Sequence, residues 1–306
     1  MKRFSRILVA QDTRLESHPV VDLAARVARS NASTITLVDA LPSISWLARI
    51  TGDVERLQQA TREGMTAKLE AIAEPLRASG LEVDCKLLEG VAWFAIVKEA
   101  KEGEHDLVMA VSKGDDSGVR GFFGRTARRL LRQCPVPLWI VPPDAPTEIR
   151  HVVACVDTSS DGVDAELNER IYQLATSIST DADARLSVLH AWEMEDEAIL
   201  SARLKPETVQ KYKDEHLAHR KDLLDRFLRP YGASVEDDGV HLINQPPTAA
   251  VGRFCDANAV DVVVMGTVAR SGLRGLLMGN TAESMLDRIA TGVLAVKPHG
   301  FRSPLS

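Results

Sequence analysis

The feature that most constrains this chain is that it is written twice. Residues 7–13, Ile-Leu-Val-Ala-Gln-Asp-Thr, return as Val-Val-Ala-Cys-Val-Asp-Thr at 152–158. Asp-Leu-Val-Met-Ala-Val at 106–111 returns as Asp-Val-Val-Val-Met-Gly at 261–266, and Leu-Trp-Ile-Val at 138–141 as Val-Leu-Ala-Val at 293–296. The register shift is 145 residues at the first match and 155 at the others, so the second copy carries ten extra residues. A period this long excludes a solenoid and predicts two domains of one fold. The joint falls at the proline-rich stretch 142–146, which divides the chain into domains at 1–143 and 148–306.

Each copy alternates short β-branched runs with longer amphipathic stretches. The pattern predicts strands near 6–11, 34–40, 82–88, 106–111 and 136–141, with helices near 18–30, 53–78, 91–102 and 122–133. In the second copy it predicts strands near 151–156, 185–191, 239–244, 261–266 and 292–297, with helices between. A continuous apolar run such as Val-Val-Val-Met at 262–265 suits a strand covered on both faces. Strands alternating with helices imply βαβ units, hence two tandem doubly wound α/β domains with parallel sheets.

Composition removes several function classes. Lys plus Arg total 37 against 43 Asp plus Glu, and a net charge of −6 argues against a nucleic-acid footprint. There is no apolar run long enough to span a membrane, and the basic N-terminal stretch has too short an apolar segment for a signal peptide. Cys85, Cys134, Cys155 and Cys255 are scattered, as in a cytoplasmic protein with reduced thiols and no zinc site.

Open α/β sheets bind ligands at the carboxyl ends of their strands, beside a topological switch point. The first strands end at Asp12 and Asp157, and the fourth strands lead into long, glycine-rich connections at 112–121 and 267–276. Connections in such units are usually about 2–6 residues, and longer ones are commonly functional. In the second copy the glycines would let backbone approach a bulky anion, Arg270 and Arg274 add positive charge, and Thr281 offers a hydroxyl. The same residues also fit a hinged surface loop whose Asn280 or Thr281 caps the next helix.

Two tandem copies, a strand-end Asp in each, and Gly266-x2-Ala269-x9-Gly279-Asn280 resemble the universal stress protein family in its tandem E-type form. The likeness runs over essentially the whole chain. It implies five-stranded sheets, packing through the last strands as an internal pseudo-dimer, and ATP or another adenine nucleotide as ligand. A homodimer is compatible with it. By this resemblance Asp157 would lie beside adenine and ribose, Ala191 would line the base, and Gly266 would admit the ribose. Gly279, Asn280 and Thr281 would hold phosphates, with Ala269 and Arg270 between them and the strand, and magnesium only as the nucleotide's counter-ion.

Both copies depart from the family pattern G-x2-G-x9-G-[S/T]. Ala269 stands at the second glycine, which costs on the order of 1–2 kcal/mol if that position needs positive φ. In the first copy Val111 replaces the first glycine, and Asp115 and Asp116 would repel a triphosphate, although Gly114, Gly124, Lys113, Arg120 and Arg125 remain nearby in sequence. The first site therefore reads as degenerate.

His216 and His219 share a helical face without the further ligands a metal site needs. His190 ends a strand near Asp157, where it could approach a base or be a core residue. Trp46, Trp93, Trp139 and Trp192 have no stacking-platform spacing. There is no nucleophile elbow, no Walker motif and no dinucleotide fingerprint, so no catalytic residue is assigned. The sequence thus predicts a stress-response protein that binds an adenine nucleotide in its second domain as a regulatory ligand. The alternatives are a nucleotide-free interaction module and a weak ATP hydrolase.

Overall fold

The structure is a computed structural model, and it describes residues 4–41, 54–113, 123–159, 163–194, 197–267, 280–286 and 288–301. The chain divides into two compact units. One comprises the described residues up to Ile149 together with those from Ala290 onward, and the other runs from Arg150 to Ile289.

In the first unit β1 (Arg6–Ala10), β2 (Thr34–Ala40), β3 (Val83–Leu88), β4 (Leu107–Val111) and β5 (Leu138–Val141) form a parallel sheet ordered β3-β2-β1-β4-β5. Its helices are α1 (Pro19–Asn31), α2 (Val54–Ala78), α3 (Ala92–Glu102) and α4 (Arg125–Gln133). Ile7, Leu8 and Val9 are all fully buried. Successive strand residues point to opposite faces, so both faces of β1 are covered, as the continuous apolar runs require. In α1 a proline opens the first turn, and Val20, Val21, Leu23, Ala24 and Ala28 make the buried stripe.

The second unit repeats the plan with β6 (His151–Cys155), β7 (Arg185–Trp192), β8 (Val240–Asn244) and β9 (Val262–Gly266), in parallel order β9-β6-β7-β8. Its helices are α5 (Val163–Ala182), α6 (Glu197–Arg203), α7 (Pro206–Leu228), α8 (Pro247–Asn258) and α9 (Asn280–Leu286). Every strand lies within two residues of its sequence-predicted position.

β10 (Gly292–Val296), the last strand of the second copy, pairs antiparallel with β5, Leu294 opposite Trp139, and so belongs to the first unit. The last strands of the two copies are thus hydrogen-bonded to each other. Just past β10, Lys297 is buried and its Nζ donates to the Leu131 carbonyl, 2.7 Å away in the last turn of α4. A lysine there satisfies an orphan helix carbonyl and complements the negative end of the dipole.

The duplication extends to strained backbone. The non-glycine residues with positive φ, among those described, are Ala32, Glu104, Asp183 and Ala259. Glu104 and Ala259 are related by the 155-residue shift, and Ala32 and Asp183 both follow a first helix of their copy. At these four helix ends a non-glycine residue takes the left-handed position of the usual αL termination.

Candidate functional site

Both sheets have their switch point where the first strand is flanked by the second and fourth, between β1 and β4 and between β6 and β9. The two first-strand aspartates sit beyond the carboxyl ends there, in different electrostatic settings.

In the second unit, the backbone of Asp157 is clamped by Asn168, a buried side chain on α5. Asn168 Oδ1 accepts from the Asp157 N–H at 2.9 Å, and its Nδ2 donates to the Asp157 carbonyl at 2.7 Å. The carboxylate of half-buried Asp157 then accepts from the backbone N–H of Ser159 at 3.1 Å and from the Ser159 hydroxyl. These two bonds from the Ser159 turn hold the carboxylate at the strand end. Ala191, near the end of β7, is half-buried, in register with Ile243 of β8.

Around these residues several buried polar atoms have no hydrogen-bond partner among the described residues: Thr158 Oγ1, Thr267 Oγ1 and Trp192 Nε1. Thr267, immediately after β9, is fully buried. Leaving such groups unpaired costs about 1–3 kcal/mol each. Their collection at the carboxyl ends of β6, β7 and β9 fits a site whose polar complement arrives with a ligand.

Gly266 has a packing role that sequence reasoning did not foresee. A Cβ built there would lie 2.8 Å from Leu167 Cδ2 and 3.6 Å from Ile171 Cδ1, so the glycine lets α5 seat against β9. Asn280 and Thr281 open α9, while Ala269, Arg270, Arg274 and Gly279 lie outside the described residues. His190 is fully buried and its Nδ1–H donates to the Val156 carbonyl at 3.0 Å, which makes it a support beneath the strand end. Burial pushes the thiol of Cys155, two residues before Asp157, well above its usual range, so it is no thiolate nucleophile.

The first unit is arranged differently. Arg14 folds onto Asp12 as a fork, Nε to Oδ1 at 2.8 Å and Nη2 to Oδ2 at 2.7 Å, with its backbone N–H adding a third bond to Oδ1 at 3.0 Å. By the 145-residue shift the second copy has Ser159 at this position. Asp39, at the end of β2, accepts from the Thr13 N–H at 2.8 Å, and burial raises its carboxyl pKa. Gln11 donates through Nε2 to the Asp12 carbonyl at 2.8 Å. Ser112, after β4, is buried and its hydroxyl has no partner among the described residues. Val111 is half-buried where the second unit has Gly266. Gly114, Asp115, Asp116 and Arg120 lie outside the described residues, as does Trp46.

The remaining candidates are dispersed. His216 and His219 are exposed on α7, and Trp139 is fully buried in β5. Among the described residues no helix is long and apolar enough to cross a membrane.

Known proteins bear directly on this geometry. The model of the Universal stress protein family matches residues 3–142 and again 148–297. Universal stress protein E of Photorhabdus laumondii is 23% identical over 315 residues, covering 100% of this chain and 98% of the relative. Universal stress protein E of Escherichia coli K12 is 24% identical over 256 residues, with 80% of this chain and 79% of the relative covered. Among solved structures, a functionally unknown protein from Pseudomonas aeruginosa PAO1 superposes with a TM-score of 0.76 at 23% identity, covering 97% of this chain and 94% of the other. A universal stress protein from Archaeoglobus fulgidus gives a TM-score of 0.66 at 16% identity over 98% and 97% of the two chains. These similarities carry the fold across the full length. With one family domain on either side of the proline-rich joint, the chain belongs to the universal stress protein family as a tandem member.

Proposed function

We propose that this chain binds an adenine nucleotide, ATP, at the β6/β9 switch point of its second unit, as a regulatory ligand in a cytoplasmic stress response. The observation that carries the reading is that Thr158, Thr267 and Trp192, at the carboxyl ends of β6, β9 and β7, each hold a buried polar atom with no partner among the described residues, beside the switch point where the Asp157 backbone is clamped. Hydroxyls can donate or accept and the indole N–H donates, a set suited to the ribose hydroxyls and ring nitrogens of a nucleoside. Asp157, held by the Ser159 turn, would accept from a ribose hydroxyl, and the small side chain of Ala191 would line a flat base beside it. The phosphates would be held by Gly279, Asn280 and Thr281, with Arg270 adding charge and Ala269 narrowing the entry, and magnesium would enter only with the nucleotide.

A regulatory role fits better than turnover, because the neighbouring histidine and thiol are both committed elsewhere. His190 is committed beneath the strand, and the nearby thiol is held protonated. Nucleotide binding would act by favouring one conformational or assembly state over another through differential affinity. Calorimetric titration of the full chain with ATP tests the reading. Saturable binding that is lost in Asp157→Ala supports it. No heat at millimolar-scale ATP sinks it in favour of a nucleotide-free interaction module, and steady hydrolysis abolished by Asp157→Ala replaces it with an enzymatic one.

A further inference from the structure

We propose that the face formed by α3 and α4 in the first unit is a docking surface for an acidic protein segment carrying a bulky apolar side chain. The proposal is independent of the nucleotide site. Helix α4 reads Arg-Thr-Ala-Arg-Arg-Leu-Leu-Arg-Gln, with four arginines and no acidic residue. Ala127, Leu130 and Leu131 are its buried side, whereas Arg125 and Arg129 are exposed and Arg132 half-buried. Positions 125, 129 and 132 are spaced i, i+4 and i+7, so they line one stripe about 10 Å long.

That stripe is unfavourable in the free chain. Arg125 and Arg129 are a like-charge pair four residues apart, which opposes helix formation. Arg125 is the first residue of the helix, where the dipole disfavours a cation. No carboxylate among the described residues pairs with Arg125 or Arg129. Arg129 instead lies over the Trp93 ring of α3, 5.7 Å from its centroid. An anionic partner would relieve these repulsions.

Beside the stripe is an apolar knob. Val91 is 62% exposed and Phe94 44% exposed, and Trp93 meets Phe94 edge-on at 5.8 Å and 87°. Trp, Phe and Arg are the residue types that concentrate binding energy at protein interfaces, and a contiguous apolar patch rimmed by charge marks such a site.

A peptide is favoured over nucleic acid on two grounds. One face of Trp93 is covered by Arg129 and Phe94 stands perpendicular to it, so there is no flat platform for stacking bases. The chain as a whole carries −6, which repels a long polyanion, whereas a short acidic segment responds to the local stripe within about one Debye length of roughly 8 Å.

The test measures binding of the full chain to a fluorescent peptide of repeating Glu-Asp-Phe-Glu, with an all-Glu peptide, oligo(dT) and phosphatidylserine vesicles as comparisons. The mixed peptide should bind tighter than all three. Affinity should fall about tenfold or more in Arg125→Glu/Arg129→Glu, and by a similar factor in Phe94→Ala. Raising salt should erase the first difference and leave the second. All three substitutions are at exposed positions, so thermal melting should show folded variants, with the charge reversal no less stable than the parent. Absence of peptide binding, binding undiminished in either variant, or preference for oligo(dT) or vesicles would overturn the proposal.

Discussion

Arg14 embraces Asp12 with two side-chain bonds of 2.8 and 2.7 Å, so the strand-end carboxylate of the first unit is neutralised from within. The equivalent carboxylate, Asp157, is turned by the backbone and hydroxyl of Ser159. A guanidinium fork matches a carboxylate in charge and geometry, whereas a hydroxyl brings one hydrogen bond and no charge. At this position the two copies of one fold thus differ by a cationic brace.

Grafting the brace should close the second site. In Ser159→Arg, the new side chain is expected to fold onto Asp157 and compete with ribose, lowering ATP affinity about tenfold or more with little change in melting temperature. A guanidinium on a half-buried carboxylate gains Coulomb attraction but loses side-chain freedom and hydration, so the net effect on stability is small, about 1 kcal/mol. Calorimetry and thermal melting on the same preparation separate the two effects, and unchanged affinity would refute the role given to Asp157.

Asn168 should matter to both stability and binding. Asn168→Ala removes two bonds to the Asp157 backbone and leaves that N–H and carbonyl without them, a loss of about 2–6 kcal/mol at 1–3 kcal/mol for each group. Urea denaturation would read the stability loss. At temperatures where the variant remains folded, ATP affinity should also fall, because the carboxylate is no longer held at the strand end.

Gly266 should behave as a packing residue. Gly266→Ala is expected to destabilise by about 1–3 kcal/mol, since the added methyl meets Leu167 Cδ2 at 2.8 Å. Pairing it with Leu167→Ala should recover part of that loss, and the double-mutant cycle measures the coupling. Additive effects would contradict the contact.

Lys297 provides a pH signature. Burial lowers its pKa from 10.5 to about 8, so the folded chain gives up this proton before the unfolded chain does. Between those values the unfolded state binds more protons and stability rises with pH. The charging penalty is fully present below about 8 and relieved as pH climbs towards 10.5. It amounts to about 3 kcal/mol from the size of the shift. Lys297→Met removes this penalty together with the bond to the Leu131 carbonyl, so its stability relative to the parent should fall by about 3 kcal/mol as pH rises from neutral towards 10.5. Chemical denaturation across that range checks the sign.

Much of this architecture was legible in the residues. The repeat defined two similar folds, and buried β-branched runs located every strand. That β10 pairs with β5 followed from the family resemblance alone, because Gly-Val-Leu-Ala-Val by composition packs equally well against either neighbour. Asn168 was missed although it left a trace, a polar residue between Leu167 and Ile171 on the buried stripe of α5. A buried asparagine needs partners, and the nearest strand-end backbone supplies them. Arg14 was equally hidden, since two-residue spacing from Asp12 says nothing of which way a long side chain turns. Gly266 fits both a ligand approach and a helix contact, and only the position of Leu167 brings out the second.

The proposed asymmetry is one copy open to nucleotide and the other closed by its own arginine. Equilibrium dialysis of the full chain against labelled ATP counts the sites directly. One ATP per chain is expected, retained in Asp12→Ala and lost in Asp157→Ala. Two sites per chain, none, or one that is lost with Asp12 instead would contradict it.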